Sequence, residues 1–179
     1  MIQSHLEFLK RNGACLEGIK WASKNCETLQ DAWDKAKPEW VVWLATQPGV
    51  LTERELHEFG LWCAEQVRHL MTDPRSIAAL DAKRAWLDGK INDKLLKKAK
   101  NDAETALLTL AQYAPIPALW GADAALSAAV GGGDGVLTIR ATAFIAAGVA
   151  YVSDERDSVY AAQAEWLRKN IKPKFPEAR

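Results

Sequence analysis

An all-α fold is what this sequence predicts: an irregular bundle of about eight to ten helices with no sheet. Three observations predict it. Apolar residues recur at three- and four-residue steps along nearly every segment, β-branched residues rarely cluster, and signals for helix start and stop divide the chain at short intervals. At 179 residues the chain is long enough for one domain with a sizeable core, so residues 1–179 read as a single domain.

The elements follow in order. Residues 3–11 and 14–24 form two short helices parted at Asn12-Gly13, and Thr28 caps a third that runs to about Ala36, with Asp31 at the capping-box position. Pro38 ends that piece and starts the next, because the residue before proline avoids the α region while proline suits a first helical turn. Trp33 therefore belongs to one helix, and Trp40 and Trp43 to another. With Val41, Val42 and Leu44 beside them, the later pair sits in a segment that is apolar all round, so all three indoles are expected in the core.

After Pro48-Gly49, Thr52-x-x-Glu55 is a capping box for a longer helix reaching about Met71, with Leu56, Phe59, Gly60, Cys63, Val67 and Leu70 on its buried face. Asp73-Pro74 opens a helix to about Asp88, stopped by Gly89. A long amphipathic helix covers about 93–114, its stripe running through Leu96, Ala99, Ala103, Ala106, Leu110 and Tyr113 until Pro115 and Pro117 end it. Residues 118–130 and 137–152 are alanine-rich and poor in charge, which predicts close helix approach at the centre of the bundle. A last helix over about 154–170 directs Tyr160, Trp166, Leu167 and Ile171 inward, and the basic tail 173–179 is expected to fray.

Composition narrows the function classes. Lysine plus arginine and aspartate plus glutamate number 23 each, so no long-range field gathers nucleic acid or an acidic membrane. The longest uncharged apolar run, Ala141 to Val152, is too short to span a bilayer. Three widely spaced cysteines, Cys15, Cys26 and Cys63, with no secretory pattern at the start, lead to the expectation of reduced thiols in a cytoplasm.

Catalytic and cofactor chemistry finds little support. "GGGDG" at 131–135 lacks the Lys-Ser/Thr that a phosphate loop needs, since Gly135 leads to Val136 and Leu137, and it reads as a helix-to-helix connection. His5, His57, His69 and the cysteines form no pair at a ligand spacing. His57 and His69 fall about 120° apart on their helix, so they cannot chelate together. No catalytic residue, cofactor or metal is expected, and the protein is read as not an enzyme.

Two surfaces stand out for binding. Trp62 points about 110° away from the centre of its helix's buried stripe, into the sector of Glu58, Glu65 and His69, where an indole beside polar groups suits an interface anchor or the packing of a second helix. Asp81, Arg84 and Asp88 share one strip of the next helix, a guanidinium flanked by carboxylates or a solvated salt ladder.

With those residues in view, the order of "C" at 15, "TLQDAW" at 28–33, "EWVVWLAT" at 39–46, "CAEQVRHL" at 63–70 and "DPRSIAALDAKRAWLDGK" at 73–90 resembles the Imm-5-like family of immunity proteins. The repeating pattern is Leu-x-x-Ala-Trp, then Trp-x-x-Trp-Leu, then Ala-x-x-Ala-Trp-Leu-x-Gly, over about half the chain. The resemblance implies a small helical protein of bacteria or their mobile elements that neutralises a toxin by direct binding, without catalytic residues. The charge balance departs from nuclease inhibitors that mimic nucleic acid, so affinity would come from shape and buried aromatics. The competing expectation is an accessory or structural protein of a phage or mobile element that self-associates through its alanine-rich helices. The partner's identity and the oligomeric state are not legible in the residues.

Overall fold

The computed structural model describes residues 4–129 and 156–175. Among them are nine α-helices, one 3-10 turn and no strand, the all-α architecture that the periodicity predicts. Where the sequence reading treats the chain as one domain, it divides into two compact units, residues 1–51 with 161–179 and residues 52–160. The expected helix over 137–152 and the glycine-rich loop at 131–135 lie outside the described residues.

The first unit contains α1 (Ser4–Arg11), α2 (Leu16–Asn25), α3 (Leu29–Lys35) and α4 (Pro38–Ala45), successive helices packing in turn. Gly13 has φ 77°, and its N–H and that of Ala14 return to the carbonyls of Lys10 and Leu9. A side chain would strain that left-handed position, which is why glycine stands where α1 stops. Thr28 and Asp31 form the complete capping box, and Pro38 takes the first turn of α4 after an extended Lys37. The last helix, α9 (Arg156–Asn170), belongs to this unit from Ala161 onward. Arg168 donates from Nε to the carbonyl of Trp33 at 2.9 Å and from Nη2 to that of Ala36 at 2.8 Å. A guanidinium thereby satisfies carbonyls that the end of α3 leaves without helical partners.

Of the tail expected to fray over 173–179, residues 173–175 are described, and the chain through Phe175 packs on the first unit. Ile171 is buried, the Lys174 N–H donates to the Val50 carbonyl at 3.0 Å, and the Phe175 ring meets Trp33 edge-on at 6.3 Å between centroids. Apolar burial and one backbone bond outweigh the segment's positive charge. Trp33, only 2 % exposed, sits beneath both the helix and the tail.

The second unit contains α5 (Glu53–Gln66), a 3-10 turn (Arg68–Leu70), α6 (Pro74–Leu87), α7 (Asp93–Leu110) and α8 (Ile116–Ala128). α6 packs on α5, α7 and α8, and α8 also meets α5 and the 3-10 turn. The Thr52/Glu55 capping box is present, but α5 stops at Gln66 and does not reach Met71, because the backbone tightens into the 3-10 turn after Val67. Gly89, at φ 72°, closes α6 through bonds from Gly89 and Lys90 to the carbonyls of Trp86 and Ala85. α7 ends at Leu110, four residues short of the expected limit, and this leaves Tyr113 in the following turn, 72 % exposed and off the core stripe.

The alanine-rich α8 approaches its neighbours closely, as its composition predicts. Ala118, Ala122, Ala124, Ala125 and Ala128 are buried, and Gly121 lies against the 3-10 turn. A Cβ built at Gly121 would meet the Leu70 carbonyl carbon at 3.2 Å and its oxygen at 3.3 Å. Backbone cannot swing aside as a side-chain tip can. Gly121→Ala should therefore destabilise the protein by about 1–3 kcal/mol despite alanine's better helix propensity. A chemical-denaturation midpoint that stays level or rises would show that the turn yields instead.

Candidate functional site

Ion pairs link some of the residues singled out on α5 and α6. Glu58, Trp62 and Glu65 stand on successive turns of α5. Glu65 accepts from Arg84 Nη2 at 2.6 Å and from Arg68 Nη1 at 3.3 Å, and Arg68 reaches Asp81 at 3.0 Å. The sequence suggests an Arg84 flanked by its own helix neighbours, Asp81 and Asp88. The structure gives Arg84 to Glu65, Asp81 to Arg68, and Asp88 to Lys90 at 2.8 Å. Two charges reaching across from α5 and the turn outcompete the intrahelical ladder, because Glu65 is the least exposed carboxylate of the group at 20 %. Glu58 pairs with Arg54 at 2.9 Å, and His69 is exposed on the 3-10 turn.

Trp62 is half-buried and stacks on Phe59, with centroids 6.5 Å apart and planes 11° from parallel. Phe59 is fully buried, so one face of the indole rests on the core while part of the ring remains open. One turn on from this anchored aromatic, Glu65 belongs to a set of four paired charges with Arg68, Arg84 and Asp81 that carries no net charge.

A second feature escapes sequence reasoning. Lys83 is 0 % exposed and lies within α6's buried series Ser76, Ala79, Leu80 and Leu87. Its Nζ stands 3.1 Å from His57 Nδ1 and 4.2 Å from the centre of the Trp86 ring. Trp86 meets the imidazole edge-on at 5.2 Å, and its indole N–H is held by Asp93 at 2.7 Å. Burial lowers the Lys83 amine to about 8 from its ordinary 10.5, against the pull of the Glu53 carboxylate. Burial first, and the Lys83 charge second, also hold His57 below its usual value. A charged Lys83 donates to Nδ1, which puts the imidazole proton on Nε2, facing Glu53 Oε1 at 3.6 Å.

An amine of this kind has nucleophilic chemistry open to it wherever a carbonyl can arrive. Here both groups are enclosed, Lys83 and His57 being 0 % and 2 % exposed. The pair is a core feature. Its signal in the sequence is a lysine three and four residues from Leu80, Ala79 and Leu87, inside an apolar stripe.

The third feature concerns the clustered indoles. Trp33 is core, as expected. Trp40 and Trp43 are only half-buried, and with Trp21 they wall a cavity of about 240 Å³ in the first unit, completed by Leu9, Leu44 and Cys15. The expectation of buried indoles fails for this pair because part of each ring faces the cavity instead of packed side chains. Trp21 and Trp40 meet at 5.6 Å with planes 56° apart, a tilted contact that forms one side of the cavity.

The cysteines are all free, Cys15 exposed and Cys26 and Cys63 buried, and burial pushes the Cys63 thiol well above its usual range. Among the described residues no cluster of three or more His, Cys, Asp or Glu side chains could hold a metal ion, and no helix is long and apolar enough to cross a membrane. No family model, curated protein or solved structure matches the chain.

Proposed function

We propose that this protein is a non-catalytic protein-binding module that neutralises a protein toxin by direct contact through the α5/α6 surface, the role its resemblance to Imm-5-like immunity proteins implies. The observation that carries the reading is Trp62: an indole backed by buried Phe59, partly open, and one helical turn from Glu65, whose ion pairs with Arg68 and Arg84 reach toward α6. Binding hot spots have this composition, an aromatic anchor with a polar border that excludes water. Because the border charges neutralise one another, a partner gains from shape and from covering the ring more than from long-range attraction. Glu58, His69 and Asp88 lie farther out on the same elements and fall to the rim.

Self-association through alanine-rich helices, as an accessory protein of a phage or mobile element, has less to draw on. The alanines of α8 are already buried within their own unit.

The test is Trp62→Ala beside Glu104→Ala, an exposed control on α7, against a partner captured from the native host and then purified. Losing the anchor should weaken binding by about 2 kcal/mol or more, roughly thirtyfold, whereas the control stays within about threefold. Thermal unfolding accompanies each variant. If Trp62→Ala unfolds the protein, the indole serves the core and the reading fails. It fails equally if the variant folds and binds as tightly as the parent.

A further inference from the structure

The cavity between Trp21, Trp40 and Trp43 lies in the unit that the proposed protein-binding surface does not use. Its volume, about 240 Å³, exceeds the roughly 150 Å³ that admits a benzene molecule into an apolar protein cavity. There is room for two fused rings. None of its described lining residues carries a charge, and the surface they present is apolar. Two of its wall rings, Trp21 and Trp40, meet each other at 5.6 Å and 56°, and an occupant packs beside that pair.

Aromatic walls also attract cations, so the charge of the occupant must be decided. Lys37 Nζ already lies 4.3 Å from the Trp40 ring centre, and it is paired with Glu39 at 2.9 Å and Glu17 at 3.6 Å. The nearby carboxylates are thus engaged with a cation the protein supplies. A second cation would find no carboxylate in the lining, and a carboxylate ligand would lose its hydration to apolar walls without a paired charge in return. A neutral occupant avoids both penalties.

We infer that the first unit holds a binding site for a small neutral aromatic molecule of one or two rings, packed against Trp21, Trp40 and Trp43 with the Cys15 thiol in the lining. The mostly apolar lining, the few polar atoms and the half-open, concave shape are those of small-molecule sites. Cys15 Sγ is fixed there by the Gly18 N–H at 3.3 Å, at the start of α2.

Cys15 makes the site readable, since it is the exposed cysteine of the three and the other two are buried. The probe is indole, with tetramethylammonium as the cationic comparison, each followed by calorimetry and by the rate of Cys15 alkylation with N-ethylmaleimide. Saturating indole should slow alkylation by about fivefold or more, and tetramethylammonium should leave it unchanged. The decisive variant is Gly18→Leu. A Cβ at Gly18 makes ordinary contacts, 3.4 Å to Cys15 Sγ and 3.7 Å to Trp40, so the helix accepts a side chain whose remaining atoms fill the cavity. Gly18→Leu should keep the parent's melting temperature or raise it, and should weaken indole binding at least about tenfold. The inference is overturned if indole neither binds nor protects Cys15, if folded Gly18→Leu binds indole as the parent does, or if tetramethylammonium protects equally well.

Discussion

Raising the pH from 8 to 10.5 should stabilise the protein by about 3 kcal/mol through Lys83 alone. In the folded state the amine titrates near 8, and in the unfolded chain near 10.5. Between those values the unfolded chain binds the extra proton, so stability climbs with pH. Below pH 8 both states are protonated, and the full penalty of burying an ammonium is present. His57 acts in the same direction at lower pH. Its folded-state value is depressed by burial and by Lys83, so stability falls as pH drops below the imidazole's usual 6.5.

Burial raises the Cys63 and Cys26 thiols, and their contribution falls with rising pH in the same alkaline window, which makes a single stability curve ambiguous. The difference between parent and Lys83→Met, measured by denaturant unfolding from pH 7 to 10.5, isolates the one amine. Methionine has nearly the same length and cannot take a proton, so the variant should compare most favourably with the parent near pH 7. It should lose about 3 kcal/mol of that relative standing by pH 10.5. The absolute sign at pH 7 also depends on the His57 Nδ1 left without its donor, but the slope does not. A difference curve flat between pH 8 and 10.5 would show that Lys83 titrates like a surface lysine.

Which features were legible follows from the range of the forces involved. The capping boxes at Thr28/Asp31 and Thr52/Glu55, the proline start of α4 and the glycine stop at Gly89 are set within four residues, so the sequence displays them and the structure repeats them. Burial of one face is legible too, as for Leu96, Ala103, Ala106 and Leu110 on α7. Pairings between elements are not. Nothing local assigns Arg84 to Glu65 rather than to Asp81 or Asp88, and nothing near Arg168 points to the carbonyls of Trp33 and Ala36, more than 130 positions earlier. Trp40 and Trp43 show the same limit in another form. An apolar segment says that burial is favourable, but whether another helix reaches far enough to complete it is decided elsewhere in the chain, and the cavity is the result.

Trp33 should prove the least dispensable indole of the first unit, and Trp33→Ala should cost about 3–5 kcal/mol, a third or more of a typical domain's stability. It is 2 % exposed, so nearly all of its apolar surface is lost to the variant as a void. The void would open where α3, α9 and the tail converge. Phe175 packs its edge on the ring, and Arg168 bonds to the Trp33 carbonyl. Those backbone bonds survive the substitution, since they use the peptide group, and they hold the neighbouring helices from collapsing inward; poor collapse places a site at the upper end of the range. Trp43→Ala supplies the contrast, because a half-buried ring already facing a cavity has fewer contacts to forfeit, and its loss should cost about half as much. Trp33→Phe keeps a ring against Phe175 and should restore much of the difference. Equilibrium unfolding in urea measures all three. Equal losses for Trp33→Ala and Trp43→Ala would mean that the three neighbouring indoles share one environment, and that the division between a core tryptophan and two cavity walls is not how this unit is held together.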